Sequence, residues 1–262
     1  QELRRFRKYI REPYGMVLVT GPTGSGKTVT LYSALKTLAS PEINITTIED
    51  PIEMVHEEFN QTSVQNKIGI TFASALRTIL RQDPDIIMVG EIRDQETAQN
   101  AVQAALTGHL VFSTLHTNDA STSVTRLIDL GIQPFLISST LIGAMAQRLV
   151  RKICDDCKRN RPLTVDEAGM LNLQAPPGKR IIVKEGAGCI RCRNTGYFGR
   201  TGIFEILQID NSIRDLVDRS EDFLKIKEMA IKRGMRTLRQ SALRKLAEGV
   251  TTFEEVVRVT GI

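Results

Sequence analysis

Short apolar runs and amphipathic stretches alternate along the first 150 or so residues. "MVLVT" (16–20), "INITTI" (43–48), "DIIMVG" (85–90) and "LVFSTL" (110–115) are brief, apolar or rich in β-branched residues, and bounded by turn or cap residues. They read as buried parallel strands. Helical spacing fills 29–39, 72–81, 95–107 and 121–130 between and after them. This alternation predicts an α/β fold, a parallel sheet with helices on both faces. From Cys154 to about Leu207 the texture changes. Pro162, Pro176, Pro177 and glycines 178, 186, 188, 196, 199 and 202 break the chain into loops and short strands. After Gln208 the pattern is helical again. Asn211 is placed to cap one helix, and Gly234 and Gly249 to end two others. Thr252 and Glu255 have capping-box spacing for the last. Leu238, Ala242, Leu243, Leu246 and Ala247 keep one helical face. The expected boundaries are 1–153, 154–207 and 208–262.

The N-terminal stretch sets Leu3, Phe6 and Ile10 on one helical face among Arg4, Arg5, Arg7, Lys8 and Arg11. It reads as a solvated helix over the core, with a phosphate-binding patch as the rival reading. No run of about 18 apolar residues exists, so no membrane span is expected. The start has no signal-peptide pattern, and it begins on Gln1, as expected for part of a longer protein. The net charge of +5 permits contact with nucleic acid or anionic lipid. The charges are mixed along the chain, however, and 5% aromatic content leaves few stacking platforms for single strands.

Chemistry enters at residues 21–28, "GPTGSGKT", which fit G-x-x-x-x-G-K-[ST] in full. The stretch follows a predicted strand and opens a predicted helix, as a P-loop requires. Gly21, Pro22, Thr23, Gly24, Ser25 and Gly26 would let backbone N–H groups face an anion. The helix N-terminus adds partial positive charge. Lys27 would reach the β- and γ-phosphates of ATP, and the Thr28 hydroxyl would ligate Mg²⁺. Hydrolysis needs further groups. Glu91, just past "DIIMVG", is the candidate acid on the Mg²⁺ side, because Asp85 lies at the wrong end of that strand. The acidic cluster Glu49, Asp50 and Glu53 follows "INITTI". Glu53 there is either a base or water-positioner near the γ-phosphate or part of a solvated loop. His109 and His116 flank "LVFSTL"; no third ligand has metal spacing, which leaves structural or phosphate-side roles.

The four cysteines form two hooks, Cys154-x-x-Cys157 and Cys189-x-x-Cys192. This pattern predicts a structural Zn²⁺ held by four thiolates; two disulfides are the alternative in an oxidising compartment. Residues 158–188 make a longer linker than the usual ribbon, a weak objection because loop-closure cost rises slowly with length.

Taken in order, "GPTGSGKT", "TIEDPIE", "DPDIIMVGEIRD" and "TGHLVFSTLHTND" resemble the secretion-superfamily ATPases, the motors of type II secretion and type IV pilus assembly or retraction. The family terms these segments Walker A, Asp box, Walker B and His box. The resemblance runs through the cysteine segment and helical tail. It implies a RecA-like P-loop ATPase core working as a ring, usually a homo-hexamer. Position by position it implies phosphate and Mg²⁺ binding by Lys27 and Thr28, Glu53 as catalytic base, Glu91 as the Walker B acid, and His109 and His116 as residues that sense or stabilise the phosphate state. Arg77 and Arg81 match family positions with a structural role. A tetracysteine segment marks assembly and secretion motors rather than retraction motors, and "GIQPFLISS" favours type II secretion. The implied partner is an inner-membrane platform protein, and the implied location is cytoplasmic and peripheral at that membrane. Two rivals stand beside this reading: a nucleic-acid-dependent P-loop ATPase with a zinc ribbon, and a nucleotide-binding scaffold without turnover.

Overall fold

The computed structural model describes residues 2–174, 176 and 178–261; Pro177, one of the predicted loop-breaking prolines, lies outside them. Two compact units form. One comprises residues up to Gln147 with Glu205–Met235, the other Arg148–Phe204 with residues from Arg236 onward. The elements run α1 (Glu2–Tyr9), β1 (Gly15–Thr20), α2 (Lys27–Leu38), β2 (Ile45–Glu49), β3 (Asn60–Ser63), α3 (Phe72–Ile79), β4 (Ile86–Val89), α4 (Gln95–Leu106), β5 (Leu110–Leu115), α5 (Thr122–Asp129) and α6 (Pro134–Thr140). They continue with β6 (Leu141–Ile153), β7 (Lys158–Pro162), α7 (Val165–Met170), β8 (Ile182–Gly186), β9 (Tyr197–Gln208), α8 (Asn211–Asp218), α9 (Phe223–Lys232), α10 (Leu238–Ala247) and α11 (Phe253–Thr260).

The main sheet has the order β3-β2-β4-β5-β1-β6-β9. Pairing is parallel from β3 through to β6. The four apolar runs fall on β1, β2, β4 and β5, whose residues are all buried. A sheet covered on both faces needs such continuous apolar runs. Met16, Leu18, Leu35, Ile48, Leu76 and Phe112 are among the largest fully buried side chains. Burial of each contributes about 1.5–3 kcal/mol. In α1, Phe6 and Tyr9 are buried while Leu3 is exposed. The basic residues Arg4, Lys8 and Arg11 stay in solvent, as a solvated helix over the core requires.

Several elements depart from the sequence pattern. Strand β3 is polar throughout and is held by backbone pairing to β2. Strand β6 carries a Gly-Ala-Met-Ala run with no alternation, yet pairs Leu18 with Ala144 and Thr20 with Ala146. The segment 154–207, expected as loops and short strands, includes all but the last residue of the 12-residue β9 and a helix, α7, with a Thr164–Glu167 capping box. The cap of α8 is Asp210, whose carboxylate accepts the Ile213 N–H at 3.1 Å, and not Asn211. Thr252 caps α11, but Glu255 does not return the bond; its carboxylate is taken by Arg151 and Arg258. The helical stretch after 208 is divided, with α8 and α9 in the first unit and α10 and α11 in the second. The sequence boundaries at 153 and 207 therefore do not coincide with the compact units.

Candidate nucleotide site and tetracysteine cluster

Parallel pairing puts the carboxyl ends of β1, β2, β4 and β5 on one sheet edge, where α/β proteins bind ligands. The loop after β1 reaches it first. Gly24 and Gly26 have φ of 76° and 85°, a left-handed backbone that glycine adopts without a Cβ penalty. Gly26 is the N-cap of α2, and no side chain caps that helix. Its first-turn N–H groups are therefore left for an anion. Pro22 and Thr23 are exposed and Ser25 is buried. The Ser25 hydroxyl has no hydrogen-bond partner among the described residues, a further donor at the loop. The Lys27 ammonium donates to the carbonyls of Gly21 (2.8 Å) and Pro22 (3.2 Å). Burial pushes its pKa below the usual lysine value, while the carboxylates of Glu91 and Glu53 pull it back up.

Those two carboxylates come from neighbouring loops. Thr28 Oγ1 donates to Glu53 Oε1 at 3.2 Å. Glu91 is ion-paired with Arg93, and its Oε2 lies 3.5 Å from His116 Nε2. The turn bearing Glu91 is fixed to β5: the Ile92 N–H donates to the Thr114 carbonyl, and Thr114 Oγ1 donates to the Gly90 carbonyl. Within the acidic cluster the fates differ. Glu53 is exposed beside Thr28, whereas Glu49 is buried and accepts hydrogen bonds from Tyr32, Thr47 and Gln61. Gln61 also donates to the Met54 carbonyl and accepts the His56 N–H, which staples the Glu53 loop to β3.

His109 is not brought to this edge. It precedes β5, and its Nδ1 is 2.9 Å from the Ala104 carbonyl at the end of α4. His116 follows the same strand. Six strand residues separate them by about 20 Å, so the pair does not share one site. At the amino end of β5, His109 lies beyond contact with the P-loop of its own chain. Asp85 also lies at the far edge, where it accepts the Asn44 N–H. Arg77 is paired with Glu96 on exposed faces of α3 and α4, a structural contact.

Gln147, near the middle of β6, has no motif to announce it. Its Nε2 donates to the Ser25 carbonyl (2.9 Å), and its Oε1 accepts from Thr30 (2.7 Å). Thr117 pairs with Thr20 at 2.7 Å and so ties the His116 loop to the end of β1. Asp119 in that loop is paired with Lys227 at 2.6 Å. For Thr117 and Asp119, only the bare presence of polar residues past the end of an apolar strand could have hinted at this.

In the second unit, β7 and β8 pair antiparallel from Lys158–Gly186 to Pro162–Ile182. The long linker is thus largely folded: β7 leaves one hook and β8 returns to the other. The sulfurs lie 3.8 Å (Cys154–Cys189), 3.9 Å (Cys157–Cys192) and 3.7 Å (Cys189–Cys192) apart, and the thiols are free. A disulfide needs about 2.05 Å. Four sulfurs at about 2.3 Å from a tetrahedral centre lie about 3.8 Å apart, so the set fits one ion of that size. Backbone N–H groups point at the sulfurs, from Gly188 to Cys157 and from Cys189 and Gly196 to Cys192. Burial pushes the Cys157 thiol up to about 12. Against the same push of burial, its two N–H donors hold Cys192 at about 6. Donors of this kind favour the thiolate that a metal ion takes.

The profile of the family described as "Type II/IV secretion system protein" matches residues 1–258. The type IV pilus assembly ATPase TfpB of Acinetobacter baylyi is 51% identical over 257 residues, which cover 98% of this chain and 44% of that protein. The type II secretion system ATPase E of Vibrio cholerae is 51% identical over 255 residues, covering 97% of this chain and 50% of that one. The chain therefore spans half or less of the length of these two curated relatives. Among solved structures, the pilus retraction motor PilT with bound ADP aligns with a TM-score of 0.72 and 30% identity, over 98% of this chain and 64% of that one. No helix among the described residues is long and apolar enough to cross a membrane. Four ordered motifs, a mostly parallel sheet that carries three of them to one edge, and a family match along nearly the whole length agree: the chain belongs to the type II/IV secretion system protein family.

Proposed function

We propose that this chain is the ATP-hydrolysing part of a motor that powers assembly of a pilus or pseudopilus fibre. The observation that carries the reading is the convergence at one sheet edge of an uncapped helix N-terminus, Lys27, and the Thr28–Glu53 contact with Glu91 nearby. In this reading the first-turn N–H groups of α2 and the Lys27 ammonium hold the β- and γ-phosphates. Thr28 and Glu91 face the Mg²⁺ side, and a bound Mg²⁺ supplies charge neutralisation at the phosphates. Glu53 is the base that takes a proton from the attacking water. His116, in reach of Glu91, is the histidine this reading uses.

Segment 154–207 is proposed as a zinc-binding segment. Cys154, Cys157, Cys189 and Cys192 would close a four-sulfur shell with no open position, which suits a structural ion. That segment and the named relatives support an assembly or secretion motor. Such a motor acts as a homo-hexamer at the cytoplasmic face of the inner membrane, coupled to a platform protein there. Its test is hydrolysis and Mg-ATP binding measured in the full-length protein. Lys27→Ala should lose both. Glu53→Gln should keep binding and lose turnover by about 10²-fold or more. Wild-type turnover in both variants would overturn the reading.

A further inference from the structure

Gln147 is 3% exposed and lies one residue past the Thr20–Ala146 pairing of β1 with β6, against the start of the glycine loop. A Cβ on Gly21 would fall 2.4 Å from the Gln147 carbonyl oxygen, so the loop is pressed onto this residue. Both ends of its amide are engaged. Nε2 donates to the Ser25 carbonyl, and Oε1 accepts from Thr30 in the first turn of α2. Only a side chain with both a donor and an acceptor can span those two groups; neither a carboxylate nor an aliphatic chain can.

The consequence follows from the peptide bond. The Ser25 carbonyl and the Gly26 N–H belong to one planar trans unit and point in opposite directions. A carbonyl held toward Gln147 turns the Gly26 N–H away from it, and Gly26 is the N-cap residue directly before the uncapped N–H groups of α2. Gly26 has φ of 85°, and glycine is the residue whose backbone would rotate most freely without such a hold. We infer that Gln147 is a positioning residue of the nucleotide site: its amide locks the Ser25–Gly26 peptide plane so that the Gly26 N–H is aimed at the bound phosphate. Thr30 fixes the amide in turn. The inference rests on the nucleotide-site reading above, and it adds a residue outside all four motifs.

The test uses Mg-ADP binding rather than hydrolysis, followed by titration calorimetry and by the Gly26 amide signal in [¹⁵N]glycine-labelled protein. Gln147→Met keeps the length and removes both hydrogen bonds. Its ADP affinity should fall about 10-fold, and the ADP-induced shift of the Gly26 amide proton should shrink. Thr30→Val, which removes only the hydroxyl holding the amide, should give a smaller loss of both. It decides the matter alone if Gln147→Met does not fold. A variant that melts lower but binds ADP with wild-type affinity and an unchanged Gly26 shift makes the contact merely structural and overturns the inference. If the wild-type chain binds no ADP, the nucleotide-site reading fails and takes this inference with it. If wild type binds ADP and the variants match it, the inference fails alone.

Discussion

Removing the charge of Glu255 should destabilise the second unit, and the structure sets the size and pH window of the effect. The Glu255 side chain is fully buried. Its carboxylate accepts the Arg151 N–H at 2.7 Å, and it contacts the guanidinium groups of Arg151 and Arg258 at 2.8–2.9 Å. Arg151 also lies 3.9 Å over the Tyr197 ring. Burial would raise the pKa of Glu255, but Arg258 and Arg151 outweigh it and hold the group at about 2. A gap of roughly 2 units from the unfolded value corresponds to about 3 kcal/mol at neutral pH. Both arginines are about half exposed, so solvent screening brings the expected loss in Glu255→Gln to about 2–3 kcal/mol. The folded pKa is depressed, so the contribution is present above the unfolded value near 4.3. It is lost as pH falls toward 2, with about half gone by pH 3. The chain has no tryptophan, so amide hydrogen exchange in α11 is the suitable probe at neutral pH. Urea melts followed by circular dichroism at pH 7 and pH 3 give the pH dependence. The opening free energy of α11 should drop by the stated amount, and the gap between variant and wild type should narrow by about half at pH 3. A change under about 0.5 kcal/mol, or a gap that does not narrow in acid, would refute the reasoning.

The two histidines should separate. His116→Ala should lower ATP turnover with little change in Mg-ADP affinity, whereas His109→Ala should leave both near wild type and act only on local stability at the end of α4; a large turnover loss in His109→Ala would contradict its placement at the far sheet edge. Metal analysis should find one Zn²⁺ per chain, and Cys154→Ser with Cys157→Ser should remove it. Hydrogen exchange in that double variant should rise across 154–196 while Mg-ADP binding persists. Retained protection without zinc would show that the β7–β8 pairing needs no ion.

How much was legible divides along physical lines. The parallel sheet could be read because fully buried strands must be continuously apolar: "LVFSTL" is β5 residue for residue. The glycine loop could be read because glycine adopts the φ of 76° and 85° at Gly24 and Gly26 without a Cβ penalty. The two cysteine hooks could be read from spacing, since a tetrahedral ion accepts few others. Strand β3 could not be read, because backbone pairing holds it and leaves no side-chain signature. Strand β6 could not, because its Gly-Ala-Met-Ala run suits either a helix or a strand; pairing with β1 decided it.

The chain on its own determined which residue types are available for the chemistry, because a phosphate loop, acids, histidines and thiolates are each marked by local sequence. Only the tertiary structure decided which of them meet. Glu49 and Glu53 lie four residues apart in one acidic run, yet one is buried against Tyr32 and the other contacts Thr28. His109 and His116 flank one strand, and the direction of that strand sends them to opposite edges. Gln147 has no local mark at all. It touches Ser25 across 122 positions of sequence, a contact made by strand pairing, which no neighbouring residue encodes.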